Sequence, residues 1–195
     1  MDFSPLFFLF FFVSTAASAD VLDISGAARC VNTTAFLHKL LDFKKLLVPF
    51  PAGFSINYRP LAGGQKLANG TVVNVCKVRG QLECDLGKYQ ACAKAFMTTD
   101  YLPVISCMQG LPNSAAAGKC VEASGEKQAV VQRIKTCGSS AEGDKLLREE
   151  QATRPKGINA APWVQINGVR VPDAEYNPRK YICQLTSVKN HKACQ

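Results

Sequence analysis

Residues 21–47 read VLDISGAARCVNTTAFLHKLLDFKKLL. Val21 to Ser25 has the character of a short strand, and Gly26-Ala27-Ala28 breaks it. Phe36, Leu37, Leu40, Leu41 and Leu47 then recur at helical spacing, with Lys39, Asp42, Lys44 and Lys45 largely opposite. Pro49 and Pro51 stop that helix. Cys30 therefore falls at a strand-to-helix junction, at or just before the first helical turn. Exposed backbone N–H groups and the helix dipole stabilise a thiolate at such a place.

Outward from this unit, Phe54, Ile56 and Tyr58 alternate with smaller or polar residues and read as a second strand, and Thr71 to Cys76 reads as a third. Glu83 to Phe96 reads as a helix carrying Cys84 and Cys92 near one face. From about Thr99 to Gln151 the signals are helical but broken by Pro103, Pro112, Gly118, Gly125 and Gly138. These segments are short, so we expect a helical insertion (about 84–151) without a core of its own. Arg154-Pro155-Lys156-Gly157 reads as a linker. Pro162 then leads two β runs around Asn167-Gly168, a strong hairpin signal. A last helix is expected over about Pro178 to Ser187, and Cys194 lies near the end.

Leu6 to Val13 is a short apolar run followed by small residues, with Ala17-Ser18-Ala19 in the form of a cleavage site. The expectation is a signal peptide over residues 1–19, cut before Asp20, and one domain over 20–195. No later apolar run is long enough for a membrane span. The product is then soluble and either secreted or lumenal, with the lysosomal lumen as the alternative. In an oxidising compartment, nine cysteines default to a disulfide framework. Eight of them, Cys76, Cys84, Cys92, Cys107, Cys120, Cys137, Cys183 and Cys194, read as structural. Their pairing is left open among on the order of a hundred connectivities. Two sequons, at Asn32 and Asn69, are candidate glycan acceptors.

The net charge of +8 is dispersed over Lys44-Lys45, Arg179-Lys180 and Lys189 with Lys192. No aromatic residues interleave with them in a nucleic-acid pattern. A weak attraction to anionic glycans or acidic proteins is the most this surface implies. His38 and His191 are the two histidines, too few for Cys/His metal sites. No metal site and no cofactor is expected. His38 is read as a surface or core-edge residue and His191 as solvent-exposed tail.

Strand, Cys-opened helix, strands, helical insertion, Pro-led hairpin and helix together match an α/β thioredoxin-like fold with a disulfide-braced helical insertion. The stretch Cys76-Lys77-Val78-Arg79-Gly80-Gln81-Leu82-Glu83-Cys84, followed by Asp85-Leu86-Gly87 and closed by Cys92, then resembles a known signature. It is that of the gamma-interferon-inducible lysosomal thiol reductase (GILT) family, Cys-Gln-His-Gly-x-x-Glu-Cys-x-x-Asn-x-x-x-x-Cys. Gly80, Glu83, Cys84 and Cys92 keep the mutual spacing. Cys76 is displaced by one residue, the Gln-His pair is lost, and Gly87 stands where Asn is expected. Ile105-Ser106-Cys107-Met108, Pro162-Trp163-Val164 and Cys183-Gln184-Leu185 also resemble family stretches. The resemblance is to a cysteine-depleted, insect-type member, such as a mosquito salivary one.

That resemblance implies a thiol oxidoreductase of protein disulfides. It makes Cys30 the first motif cysteine and Thr33 the replacement of the second, within Cys30-Val31-Asn32-Thr33. It also implies a cis peptide at Ala161-Pro162 beside the thiol. In the normal reaction the second cysteine attacks the mixed disulfide and releases the reduced substrate. Without it, two readings stand. Cys30 is vestigial in a protein that binds a protein partner, or it is a monothiol nucleophile that reduces disulfide-containing protein substrates with an outside thiol. A glycan on Asn32 would cover the face that such a partner must reach. The chain is expected to be a monomer.

Overall fold

The computed structural model describes residues 19–62, 65–66, 72–73 and 80–195. The segment expected to be a signal peptide lies outside them, except for Ala19, and so do Asn69 and Cys76.

Strand β1 (Asp20–Gly26) runs parallel to β2 (Phe54–Pro60), with helix α1 (Val31–Leu46) between them. The parallel pairing is possible because the helix supplies the crossover. On its other side β1 pairs antiparallel with β5 (Trp163–Ile166), which turns back into β6 (Val169–Arg170). The sheet order is β2-β1-β5-β6. Alternation sets the register: Leu22 and Ile24, fully buried, face Ile56 and Tyr58 on one side and Ile166 and Val164 on the other. The hairpin turn is Asn167-Gly168, with φ of 50° and 79°. Asn167 Oδ1 accepts from Val21 N (2.8 Å) and its Nδ2 donates to Asp20 Oδ1 (2.8 Å), so the turn is bonded to the start of β1. Of the expected third strand, Val72–Val73 (β4) pairs antiparallel with Gln65–Lys66 (β3); the rest lies outside the described residues.

Helix α1 buries Thr33, Phe36, Leu37, Leu40 and Phe43 against this sheet. Phe36, Leu37, Leu40 and Phe43 join Leu22, Ile24, Phe54, Tyr58, Val164 and Ile182 in one core. The helical region comprises α2 (Gln81–Phe96), α3 (Leu102–Cys107), α4 (Ser114–Glu122), α5 (Gln128–Gly138) and α6 (Ala141–Ala152). Contrary to expectation, these helices do own a core. Leu86, Tyr89, Ala93, Met108, Val121, Val131 and Ile134 form a cluster around α2 that is separate from the sheet core. Each helix is short, but α2 packs against α4, α5 and α6 at once and gives all of them a common apolar partner. Cys92–Cys137 and Cys107–Cys120 are disulfides within this cluster or at its edge.

Two kinds of contact join the layers. Ala62, just past β2, meets α2 so closely that a Cβ on Gly87 would lie 2.4 Å from the Ala62 Cβ. Arg59 on β2 pairs with Asp23 on β1 (2.9 Å) and reaches Glu150 on α6 (4.0 Å), which Lys94 on α2 also holds (2.6 Å).

The last expected helix is shorter than its pattern suggests. Helix α7 (Pro178–Ile182) ends, and the chain continues in tight turns. Asp20 Oδ2 accepts from both Ser187 N (2.9 Å) and Ser187 Oγ (2.7 Å), which draws this segment to the sheet instead of prolonging the helix. These bonds hold the Asp20 carboxyl below its ordinary value, the Ser187 backbone bond being the largest influence. His191 is not exposed tail: it is partly buried, and its Nδ1 accepts from Ala193 N (3.1 Å), opening the final turn that carries Cys194 to its bridge with Cys183.

Candidate active site

Cys30 is the N-cap of α1, with extended backbone (φ −100°, ψ 118°), and its carbonyl accepts from both Thr34 N (3.0 Å) and Thr34 Oγ1 (3.1 Å). The first helical turn carries no acidic residue. Cys30 Sγ, partly exposed, donates to Ala161 O at 3.3 Å. The Ala161–Pro162 peptide is cis, and the Cys30–Ala161 contact joins residues 131 positions apart in the chain. Cys30 is the one free cysteine among the described residues. Cys84, Cys92, Cys107, Cys120, Cys137, Cys183 and Cys194 are all disulfide-bonded, which leaves no second thiol among the described residues to resolve a mixed disulfide at Cys30.

Thr33 sits one turn below, fully buried, and its Oγ1 finds no hydrogen-bond partner among the described residues. A buried hydroxyl in that condition costs about 1–3 kcal/mol. A thiol, whose hydrogen-bonding needs are weak, would not bear that cost. The packing here is tight: a Cβ on Gly26 would lie 2.6 Å from Thr33 Cγ2 and 2.8 Å from the Tyr58 ring.

A recess of about 260 Å³ beside Cys30 is lined by Ala27, Arg29, Cys30 and Glu83. Glu83, from the first turn of α2, is 3% exposed. Its Oε1 accepts from Ala28 N (2.6 Å) and its Oε2 from Arg29 N (3.1 Å). Behind the same loop lies a buried polar group. Tyr58 OH donates to Gly26 O (2.9 Å). With its amide nitrogen facing the loop, Gln109 donates to Ala27 O (3.1 Å) and Ala28 O (3.3 Å), and its oxygen accepts from Gln90 Nε2 (3.0 Å). Burial pushes the Tyr58 phenol well up, and the neighbouring Glu83 and Cys30 add to it. Tyr58 is therefore a neutral donor at any physiological pH.

Trp163, next to Pro162, lies 4.2 Å below the Arg170 guanidinium, which donates to Val164 O (3.0 Å) and pairs with Glu175. Asn32 is exposed on the first turn of α1, two residues from the thiol, and His38 is exposed farther along it. No group of His, Cys, Asp and Glu among the described residues could hold a metal ion. No helix among them is long and apolar enough to cross a membrane.

The spacing of residues 80–92 drew attention to Glu83 but gave it no job. Its bonds run to residues more than fifty positions away, and no local pattern encodes that. Tyr58, Gln90 and Gln109 carried no sequence signal as a group.

The family model described as gamma interferon inducible lysosomal thiol reductase (GILT) matches residues 21–124. The chain belongs to the GILT family. The match takes in Cys30, Thr33 and the signature stretch but ends before Pro162. A GILT-like protein of Caenorhabditis elegans is 26% identical over 168 residues, covering 84% of this chain and 51% of that protein. A second one from the same organism is 33% identical over 110 residues, covering 53% of this chain and 50% of its own length. The chain thus spans about half the length of these curated relatives.

Among solved structures, oxidized DsbA of Mycobacterium tuberculosis superposes with a TM-score of 0.64 at 12% identity, over 91% of this chain and 87% of that one. The disulfide bond oxidoreductase DsbG of the same organism gives 0.59 at 12% identity, over 88% and 79%. At such identity the likeness is one of fold, and the fold of this GILT-family chain is thioredoxin-like.

Proposed function

We propose that this GILT-family chain is a degenerate thiol reductase that binds protein partners through the groove around Cys30 and Pro162 and lacks efficient disulfide turnover. The observation that carries this reading is Thr33: a fully buried hydroxyl without a partner stands one turn behind a free, partly exposed thiol. Supporting context is the disulfide framework, which suits an extracellular or lysosomal lumen. In this reading residues 1–19 are a cleaved signal, residues 20–195 act as one monomeric domain, and Asn32 and Asn69 accept glycans.

A second reading is favoured by the Cys30 thiol itself, which lines the recess and donates to the Ala161 carbonyl. Cys30 is then a monothiol oxidoreductase. Its thiolate attacks one sulfur of a partner disulfide; an Sγ–S bond forms, and the other partner sulfur leaves as a thiolate and takes up a proton. A small outside thiol must then displace the partner, and a second one frees Cys30. Two donor thiols are oxidised to one disulfide as the partner disulfide is reduced to two thiols.

Insulin-disulfide reduction separates the two readings. The glycosylated protein would be assayed at acid and neutral pH with a small-thiol donor, beside Cys30→Ser. The binding reading expects no rate beyond the donor alone in either protein. A rate above that background which disappears in Cys30→Ser would replace it with the monothiol enzyme.

A further inference from the structure

We propose that Glu83 is the positioning residue of the Cys30 loop: its carboxylate, delivered by α2, fixes the backbone at Ala28 and Arg29 and so holds Cys30 against Ala161. This deepens the reading of Cys30 given above and rests on it.

Between the end of β1 at Gly26 and the start of α1 at Val31, four residues must turn the chain and present the thiol. Ala27 and Ala28 are 1% exposed, so the polar backbone groups here need partners within the protein. The loop carbonyls have partners elsewhere in the protein: Gly26 O accepts from Tyr58 OH and Leu61 N, and Ala28 O from Gly110 N at 2.7 Å. Cys30 N turns inward to Ala27 O at 3.2 Å. Ala28 N and Arg29 N both donate to Glu83, one to each oxygen. Bonds from N–H groups to a carboxylate are stronger than neutral ones, and a two-point grip also fixes direction. Glu83 lines the same recess as Cys30, so the grip acts directly beside the thiol. A Gln in its place has nearly the same size but offers one acceptor, with an amide NH₂ set against the second N–H donor. An Asp keeps the charge but is one methylene short of reaching both.

The test uses the full, disulfide-intact chain. Exchange of the Ala28 and Arg29 amides is followed by hydrogen–deuterium exchange. Cys30 is separately labelled with monobromobimane, a fluorophore that a nearby tryptophan quenches; Trp163, the single tryptophan, lies two residues past Ala161 and should quench it. Trp163→Phe sets the unquenched level. Glu83→Gln should leave the fold intact by circular dichroism. It should raise exchange at the two amides roughly tenfold or more and remove most of the quenching. Glu83→Asp should fall between Glu83→Gln and the wild type on both measures. Wild-type exchange and quenching in a folded Glu83→Gln would overturn the proposal. If that variant does not fold, Glu83→Asp decides: values equal to wild type overturn it. A wild-type Cys30 that refuses the label would strike at the reactive-thiol reading instead, and the exchange measurement would still decide the role of Glu83.

Discussion

The sheet core and the helical core are both built of buried side chains but are held by different means. Around the sheet, Leu22, Ile24, Tyr58 and Val164 are held in register by strand pairing, and the Cys183–Cys194 disulfide lies at the margin among partly buried groups. Around α2, helices of 6 to 16 residues share no ladder of bonds with one another, and Cys92 and Cys137 are themselves fully buried core atoms. Strand pairing specifies a partner residue by residue, whereas helix packing specifies only faces. The cross-links stand where backbone bonding between elements is missing. The Cys30 site lies on the seam: its thiol belongs to the sheet side, while Glu83 and Gln109, which grip its loop, come from the helical side.

The largest effect should come from the helical side. Cys92–Cys137 closes 45 residues and Cys183–Cys194 closes 11. Loop-closure entropy puts the first at about 4 kcal/mol and the second at about 3 kcal/mol. Removal of Cys92 also leaves a void in a packed core. Cys92→Ala/Cys137→Ala should therefore lower the denaturation midpoint clearly more than Cys183→Ala/Cys194→Ala. Equal losses would show that the helical core does not depend on its bridge and would erase the contrast.

Much of this contrast is legible in the sequence, and the part that is not has a physical cause. Cys30 at a helix start follows from local periodicity, because residues 36–47 define a face within one element. The hairpin at Asn167-Gly168 follows from backbone preference alone. The core around α2 does not, since Leu86, Met108, Val121 and Ile134 become a core only when five short helices meet. Nor does the early end of α7, where Asp20 captures Ser187 from the opposite end of the chain. Glu83 belongs with these: its spacing is visible, its target is not. Where a contact joins distant segments and rests on a single polar side chain, composition and period carry no trace of it.

On the sheet side the sensitive point is small and local. Gly26→Ala drives a Cβ into Thr33 and Tyr58, and overpacking of this kind costs about 1–3 kcal/mol. Gly87→Ala makes the matching test at the seam, against Ala62. Urea denaturation should show both variants destabilised. Only Gly26→Ala should also alter the alkylation rate of Cys30, because only Gly26 adjoins its loop. A change of that rate in Gly87→Ala would mean that the seam transmits strain to the thiol.

Thr33→Cys sharpens the functional side of the comparison. It replaces an unpartnered buried hydroxyl with a thiol in a site that already excludes water. The oxidised variant should lose the free Cys30 thiol to a disulfide within the first helical turn. With a small-thiol donor, insulin reduction should rise on the order of tenfold above wild type, because an internal thiol resolves the mixed disulfide at high effective concentration. A variant that forms the bridge but gains no rate would show that the groove, and not just the missing sulfur, has left catalysis.

The smallest effect concerns acid, and it falls on the helical side. Glu126, between α4 and α5, accepts from the hydroxyl and amide groups of Thr98 and Thr99, between α2 and α3, at 2.7–2.8 Å. These bonds, the Thr99 hydroxyl first, lower its carboxyl to about 2. The shift is downward from an ordinary value of 4.5, so the ionised latch contributes its full stability above that pH and loses it as pH falls toward about 2. At the mild acidity of a lysosomal lumen the latch is closed. Glu126→Gln should lower the melting temperature slightly at pH 5 and above, and the difference from wild type should shrink as pH falls below 4.5. A difference that stays constant down to the lower limit would mean that the four bonds do not depend on the charge. The two links would then be joined by shape alone, as the helices around them are.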